Sequence, residues 1–474
     1  MLTSKALLPR AEARVESRKP LALATSASVP LSRPAAKETV QDQIQRENPL
    51  RKIAFYASLG FLFVRLSAIS ELLAFYTHIN FYLLYLFAPF AILGALTTGG
   101  VGRTFRHSAP RYWVAFFGWM ILATPFSFWK GDSISMVIGY GRLVLPMLFV
   151  LGGLAMTWKE IRLVFYTLAL SALANLATVQ LFTGHDESGR ITLDASGNMG
   201  NSNDLGAQLL LVLPFLLFVI LDRTKSKALR VSLLPLIAYG AWVVLGTASR
   251  GCMIAMAAMF LFALWRATPA QRVATLAMGV VIATAIPLFL PGSVLTRLSS
   301  LFSDKRPETV EADESSATRE YVLRQSLSYT AQHPLFGVGP GQFPNYEGHE
   351  STTEGKRGTW KVTHNFLTQV SSECGVPALI FVLLSLGSAL LLVNRTYLQA
   401  RKKGFKDIAN ACFCYQLGMV GYVCSIIFLA QAYHFYLPTM IGLAVSMSLV
   451  AMRHMSDQEI PSAVSAPSLK FAVR

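Results

Sequence analysis

The chain has 474 residues, of which 53% belong to the set Ala, Val, Ile, Leu, Met, Phe, Trp, Tyr and Cys and only 14% are charged, against about 25% charged in a soluble domain. With a mean hydropathy of +0.45 and repeated near-uncharged stretches, a soluble enzyme is excluded and a single membrane domain is expected. The net charge of +16 does not read as a nucleic-acid surface, because Lys and Arg lie in the short gaps between apolar stretches rather than on one patch.

Residues 1–52 hold ten Lys or Arg and no long apolar run. A disordered cytoplasmic tail is expected there, and Pro20 and Pro30 argue against a signal-peptide core. Twelve membrane helices follow, at about 53–70, 79–98, 111–128, 134–156, 160–182, 205–221, 230–247, 251–266, 273–291, 366–393, 408–430 and 435–452. The expected fold class is therefore an all-α polytopic membrane protein. Helices one to nine span 53–291, a long outside loop 292–363, helices ten to twelve 364–452, and a cytoplasmic tail 453–474. Arg65 and Glu71 interrupt the first pair, so one segment there is read as tilted or partly re-entrant.

Cations near a helix end resist translocation, which fixes orientation from short loops. With the amino terminus inside, the inside gaps carry 28 Lys or Arg, and the short outside gaps only Lys130, Arg190 and Arg250. Both termini are expected in the cytoplasm. Lys130, beside Trp129 and Asp132, reads as an interfacial anchor. Ser202, Asn203 and Asp204 read as the cap of a helix starting near Leu205. Arg250 has two readings from its short connection: snorkelling to lipid phosphates, or a guanidinium fork gripping phosphate oxygens.

In the long loop, residues 316–333 have helical spacing, with Ser315 or Ser316 as a cap, and Pro334 ends the helix. The following GVGPGQFPNY (337–346) reads as a turn-rich segment and not a phosphate loop, since no strand precedes it. His364 then opens the tenth helix. A neutral imidazole there can take a proton at neutral pH, or it can be a capping or interfacial residue. Glu373, nine residues on, falls on the opposite side of a regular helix, so no His–Glu pair is expected. His434 between Tyr433 and Phe435 reads as part of an interfacial belt. The five cysteines have no CxxC spacing and no histidines sit at metal-ligand spacing, so neither a disulfide framework nor a metal site is expected.

Taken in order, Arg190 followed by GNMGNSNDLG, TASRG at 247–251, SATREY…HPLFGVGPGQF, HN at 364–365 and E-x-G at 373–375 resemble the O-antigen ligase and O-antigen polymerase superfamily of bacterial inner-membrane proteins. The resemblance covers about residues 185–380. It implies a glycosyltransferase using an undecaprenyl-diphosphate-linked glycan at the periplasmic face, without metal, cofactor or nucleotide sugar. It also implies diphosphate-gripping roles for Arg190 and Arg250 and a catalytic role for His364. The acceptor it implies is lipid A-core for a ligase, and a second lipid-linked repeat for a polymerase; a protein-targeted relative would use a hydroxyl side chain. Ligase is the preferred reading and polymerase the alternative. A twelve-helix transporter is the competing class, disfavoured because the longest loop lies outside after helix nine and the candidate residues share one face.

Overall fold

The computed structural model describes residues 40–185, 190–193, 201–269 and 310–464, with scattered positions between 271 and 292. The tail before residue 40, most of the expected ninth helix, segments 194–200 and 293–309, and residues 465–474 lie outside the described residues.

Helices occupy the other eleven expected segments. In chain order they begin with α1 (Val40–Glu47), α2 (Pro49–Leu66), α3 (Ile69–Thr77), α4 (Leu83–Thr97), α5 (Gly100–Thr104), α6 (Ser108–Ala123), α7 (Lys130–Leu143), α8 (Leu145–Gly153) and α9 (Trp158–Phe182). After a short hairpin come α10 (Ser202–Leu221), α11 (Lys227–Ser232), α12 (Leu234–Gly246) and α13 (Arg250–Arg266). Beyond the undescribed stretch lie α14 (Val310–Gln332), α15 (Phe343–Thr353), α16 (Phe366–Lys402), α17 (Lys406–Ile426) and α18 (Tyr436–Val464). Among the described residues, six helices are long and apolar enough to cross a membrane, or seven if α2 and α3, bent by 63°, form one broken span. The break falls between Arg65 and Glu71, the two charges that interrupt the first apolar stretch.

α10 is apolar on every side, and Leu205, Leu209, Leu211, Val212, Phe215 and Leu216 are all fully buried. A helix of that kind can only sit inside a bundle, and α9, α12, α13 and α17 pack around it. α18 lies against α8, and α6 against α16.

Several expectations need correction. The amino-terminal tail does not run to residue 52: α1 and the start of α2 are ordered, because Asn48 caps α2 with Pro49 in its first turn. The fully buried Arg51 pins that start, donating to Glu160 at 2.8 Å and to the carbonyls of Gln45, Arg46 and Leu154. At the other end, α18 continues past residue 452 to Val464. The fold is that of an all-α membrane protein, as expected, with one short hairpin among its helices. Thr183–His185 pairs antiparallel with Ile191–Leu193, hereafter β1 and β2. Ile191 and Leu193 anchor the second strand in the core. The segment 337–346 is only partly turn, since α15 begins at Phe343 with Pro344 in its first turn, where a missing N–H costs nothing.

Candidate active site

Arg190 immediately precedes β2. Its Nε donates to the Thr247 carbonyl at 2.8 Å and one terminal nitrogen donates to Asn203 Oδ1 at 2.9 Å. Thr247 belongs to the three-residue connection between α12 and α13, where Ala248 has φ 47° and Ser249 caps the next helix. Arg250 is the first residue of that helix and is half-buried. One short connection thus gathers both arginines.

The reading of Ser202, Asn203 and Asp204 as a cap needs correction. The cap is Asn201, whose side chain accepts from Asn203 N. This frees Asn203 to hold Arg190, and Asp204 to accept from Gln431 Nε2 at 2.6 Å. Gln431 also accepts from Tyr422 OH at 3.2 Å, and the next residue, Ala432, donates its N–H to Gln369 Oε1 on α16 at 3.0 Å. A hydrogen-bonded path therefore runs from the Arg190 connection, through the turn before α18, to the first turn of the helix that follows His364.

His364 has φ +50° and is half-buried. It is not the cap: Asn365 is, with Oδ1 accepting from Leu367 N at 2.9 Å and Thr368 N at 3.1 Å. Burial, then the cations of Arg319 on α14 and Lys361, lower its pKa to about 4. The imidazole is therefore neutral at pH 7, with a ring nitrogen free to accept a proton. His434 lies two residues before α18. It is half-buried, stacks on Tyr436 with ring centroids 6.1 Å apart, and has its pKa lowered to about 4 by burial and Arg65.

The roof over this end is clamped by a broken helix. α16 is interrupted at Gly375, φ +84°, and its orphaned carbonyls take outside donors. Val338 N donates to Ser372 O at 2.8 Å, Gly339 N to Glu373 O at 2.9 Å, and Trp119 Nε1 to Cys374 O at 3.1 Å. The Glu373 carboxylate accepts from Gly341 N at 2.9 Å and Tyr433 OH at 2.5 Å, not from His364. The fit is close: a Cβ on Gly375 would lie 2.1 Å from Leu335 O, and one on Gly337, φ +66°, would lie 2.4 Å from the Glu373 backbone. These contacts commit the amides of Val338, Gly339 and Gly341 to α16, so the glycine-rich segment is a clasp and not a phosphate cradle. Asp132, two residues after Lys130, accepts here from Gln342 Nε2 at 2.7 Å.

Arg319 and Asp204 were not legible as site residues. The only signal for Arg319 was its place in SATREY, and for Asp204 its neighbourhood to a cap. Among the described residues no group of three His, Cys, Asp or Glu side chains could hold a metal ion.

Fold and site together define a polytopic helical membrane protein with arginines and a neutral histidine at one end of its bundle. Residues 235–383 match the family model described as O-Antigen ligase, which places this segment in the O-antigen ligase/polymerase superfamily. The matched segment contains Arg250, Arg319, His364 and Glu373, but not Arg190. Among curated proteins none matches the chain. The family match supports a glycosyltransferase of the O-antigen ligase or polymerase type, acting in a membrane on lipid-linked glycan.

Proposed function

We propose that the protein transfers a glycan from undecaprenyl diphosphate to an acceptor hydroxyl at the periplasmic face of the bacterial inner membrane, by an inverting, metal-independent mechanism, and that it is an O-antigen ligase acting on lipid A-core. The observation that carries this reading is His364: relieved of capping by Asn365, half-buried, and held neutral by that burial and then by the cations of Arg319 and Lys361.

In this mechanism the acceptor oxygen attacks the anomeric carbon from the face opposite the diphosphate. The new C–O bond forms as the bond to the diphosphate oxygen breaks, the electron pair leaves with undecaprenyl diphosphate, and the acceptor proton passes to the free ring nitrogen of His364. Arg190 and Arg250 would stabilise charge developing on the leaving diphosphate, as planar guanidinium forks do for phosphate oxygens. Before donor arrives, nearby cations disfavour a protonated imidazole. A bound diphosphate offsets that field and raises the proton affinity of His364 when the proton must be taken.

The experiment is incubation of the purified protein with lipid-linked glycan and either lipid A-core or a second lipid-linked repeat. Transfer to lipid A-core establishes the ligase. Chain extension instead makes the same site a polymerase, and no transfer to either acceptor removes the reading.

A further inference from the structure

Trp360 lies four residues before His364, and nothing in the mechanism above uses it. The residue is 55% exposed, yet its placement is fixed by several contacts. The backbone is left-handed, φ +54°, a conformation that a bulky residue keeps only when its surroundings impose it. What imposes it is Glu347, a carboxylate with no solvent exposure. Glu347 Oε2 accepts from Trp360 N at 3.0 Å, Thr359 N at 3.0 Å and Thr359 Oγ1 at 2.9 Å. Its Oε1 accepts from Ser351 Oγ at 3.0 Å and from Tyr321 OH at 3.1 Å. Tyr321 is two residues from Arg319, so one buried carboxylate ties α14 to the segment that carries Trp360.

The indole is also seated. A Cβ on Gly348 would come within 2.3 Å of Trp360 Cδ2, and one on Gly358 within 3.1 Å of Nε1, so glycine backbone backs one side of the ring. The exposure therefore belongs to the other side. A tryptophan that merely anchors a protein in the headgroup layer needs only the right depth. It needs neither a strained backbone nor a buried carboxylate to hold it. A rigid aromatic face presented to solvent four residues before the proposed base suits the electropositive C–H face of a pyranose, which meets the negative face of the indole.

We propose that Trp360 is a carbohydrate subsite on which a sugar ring of the glycan stacks, positioned by Glu347. The proposal rests on the glycan-transfer reading for the sugar's identity as a substrate, but binding and transfer are separable. The protein is reconstituted in nanodiscs as wild type, Trp360→Ala and Trp360→Tyr. The binding probe is the oligosaccharide released by mild acid from the native lipid-linked glycan, followed by saturation-transfer NMR. Wild type and Trp360→Tyr should saturate the sugar protons and Trp360→Ala should not. In the transfer assay Trp360→Ala should raise KM for one glycan substrate about tenfold, the scale of one aromatic contact, with kcat changed only a few-fold and Trp360→Tyr close to wild type.

Trp360-dependent binding without any transfer leaves the subsite standing and removes the transferase reading. Wild-type binding and KM in Trp360→Ala, with transfer intact, overturns the subsite alone. The fluorescence difference between wild type and Trp360→Tyr reports Trp360 itself. Its quenching by brominated lipid, with no response to oligosaccharide, makes Trp360 a membrane anchor and also overturns the proposal.

Discussion

Arg190 Nε donates to the Thr247 carbonyl at 2.8 Å, three residues ahead of Arg250. Residues sixty apart in sequence are thereby fixed to one connection, and Asn203 on α10 holds Arg190 from the other side at 2.9 Å. A lysine could match the charge of either arginine but not its geometry, since a point charge cannot donate through a planar fork.

Arg250→Lys should insert and fold normally yet lose about 10²–10³-fold in turnover, the scale for removing one donor from a charge-stabilising site. Glycan transfer by the purified variant measures this. Unchanged turnover would leave only the lipid-snorkelling account of Arg250.

His364→Ala should lower transfer by about 10²–10⁴-fold, the usual worth of general-base assistance, while binding of the lipid-linked donor persists because the arginines remain. Transfer by wild type should also survive excess EDTA. Loss on chelation with recovery on adding Mg²⁺ would point to metal chemistry at a different site.

The pH profile carries a sign. A base must be unprotonated in the free enzyme, and His364 has its pKa lowered to about 4, by burial and then by Arg319 and Lys361. The acid limb of kcat/KM should therefore lie well below the ordinary 6.5. Arg319→Gln removes one cation that opposes protonation, so the limb should move upward but stay short of 6.5, because burial is unchanged. A limb that stays in place or moves down would separate Arg319 from His364. The lowered value also favours folding above pH 6.5, and that contribution is lost as pH falls towards 4.

Gly375→Ala should destabilise the protein by at least about 1–3 kcal/mol, the range for a residue forced into an unfavourable backbone region. The new methyl would also meet Leu335 O at 2.1 Å. A lowered unfolding temperature in detergent, with weaker transfer from a loosened clasp, is the expected result. An unchanged temperature would mean that the break in α16 tolerates a side chain.

Reporter fusions after residue 340 should read periplasmic, and those near 226 and 403 cytoplasmic, because Lys and Arg concentrate in the gaps assigned to the inside. A cytoplasmic signal at 340 would put the proposed chemistry in the wrong compartment.

Composition and apolar spacing by themselves determined the membrane class, the helical segments and the interruption at Arg65 and Glu71, because lipid imposes its demand on each span separately, within about 20 residues. The ordered motifs nominated Arg190, Arg250 and His364, whose roles are proposals, those of Arg250 and His364 tested by the variants above. Local signals fell short wherever a neighbouring residue could take the same role. Asn201 rather than Ser202 caps α10, and Asn365 rather than His364 caps α16. Only the tertiary structure could decide that Arg190 reaches Thr247, that Asp204 meets Gln431, and that Glu347 holds Trp360. Those pairings join segments far apart in the chain, and which buried carboxylate meets which donor depends on how the helices pack, a relation that no spacing within one segment encodes.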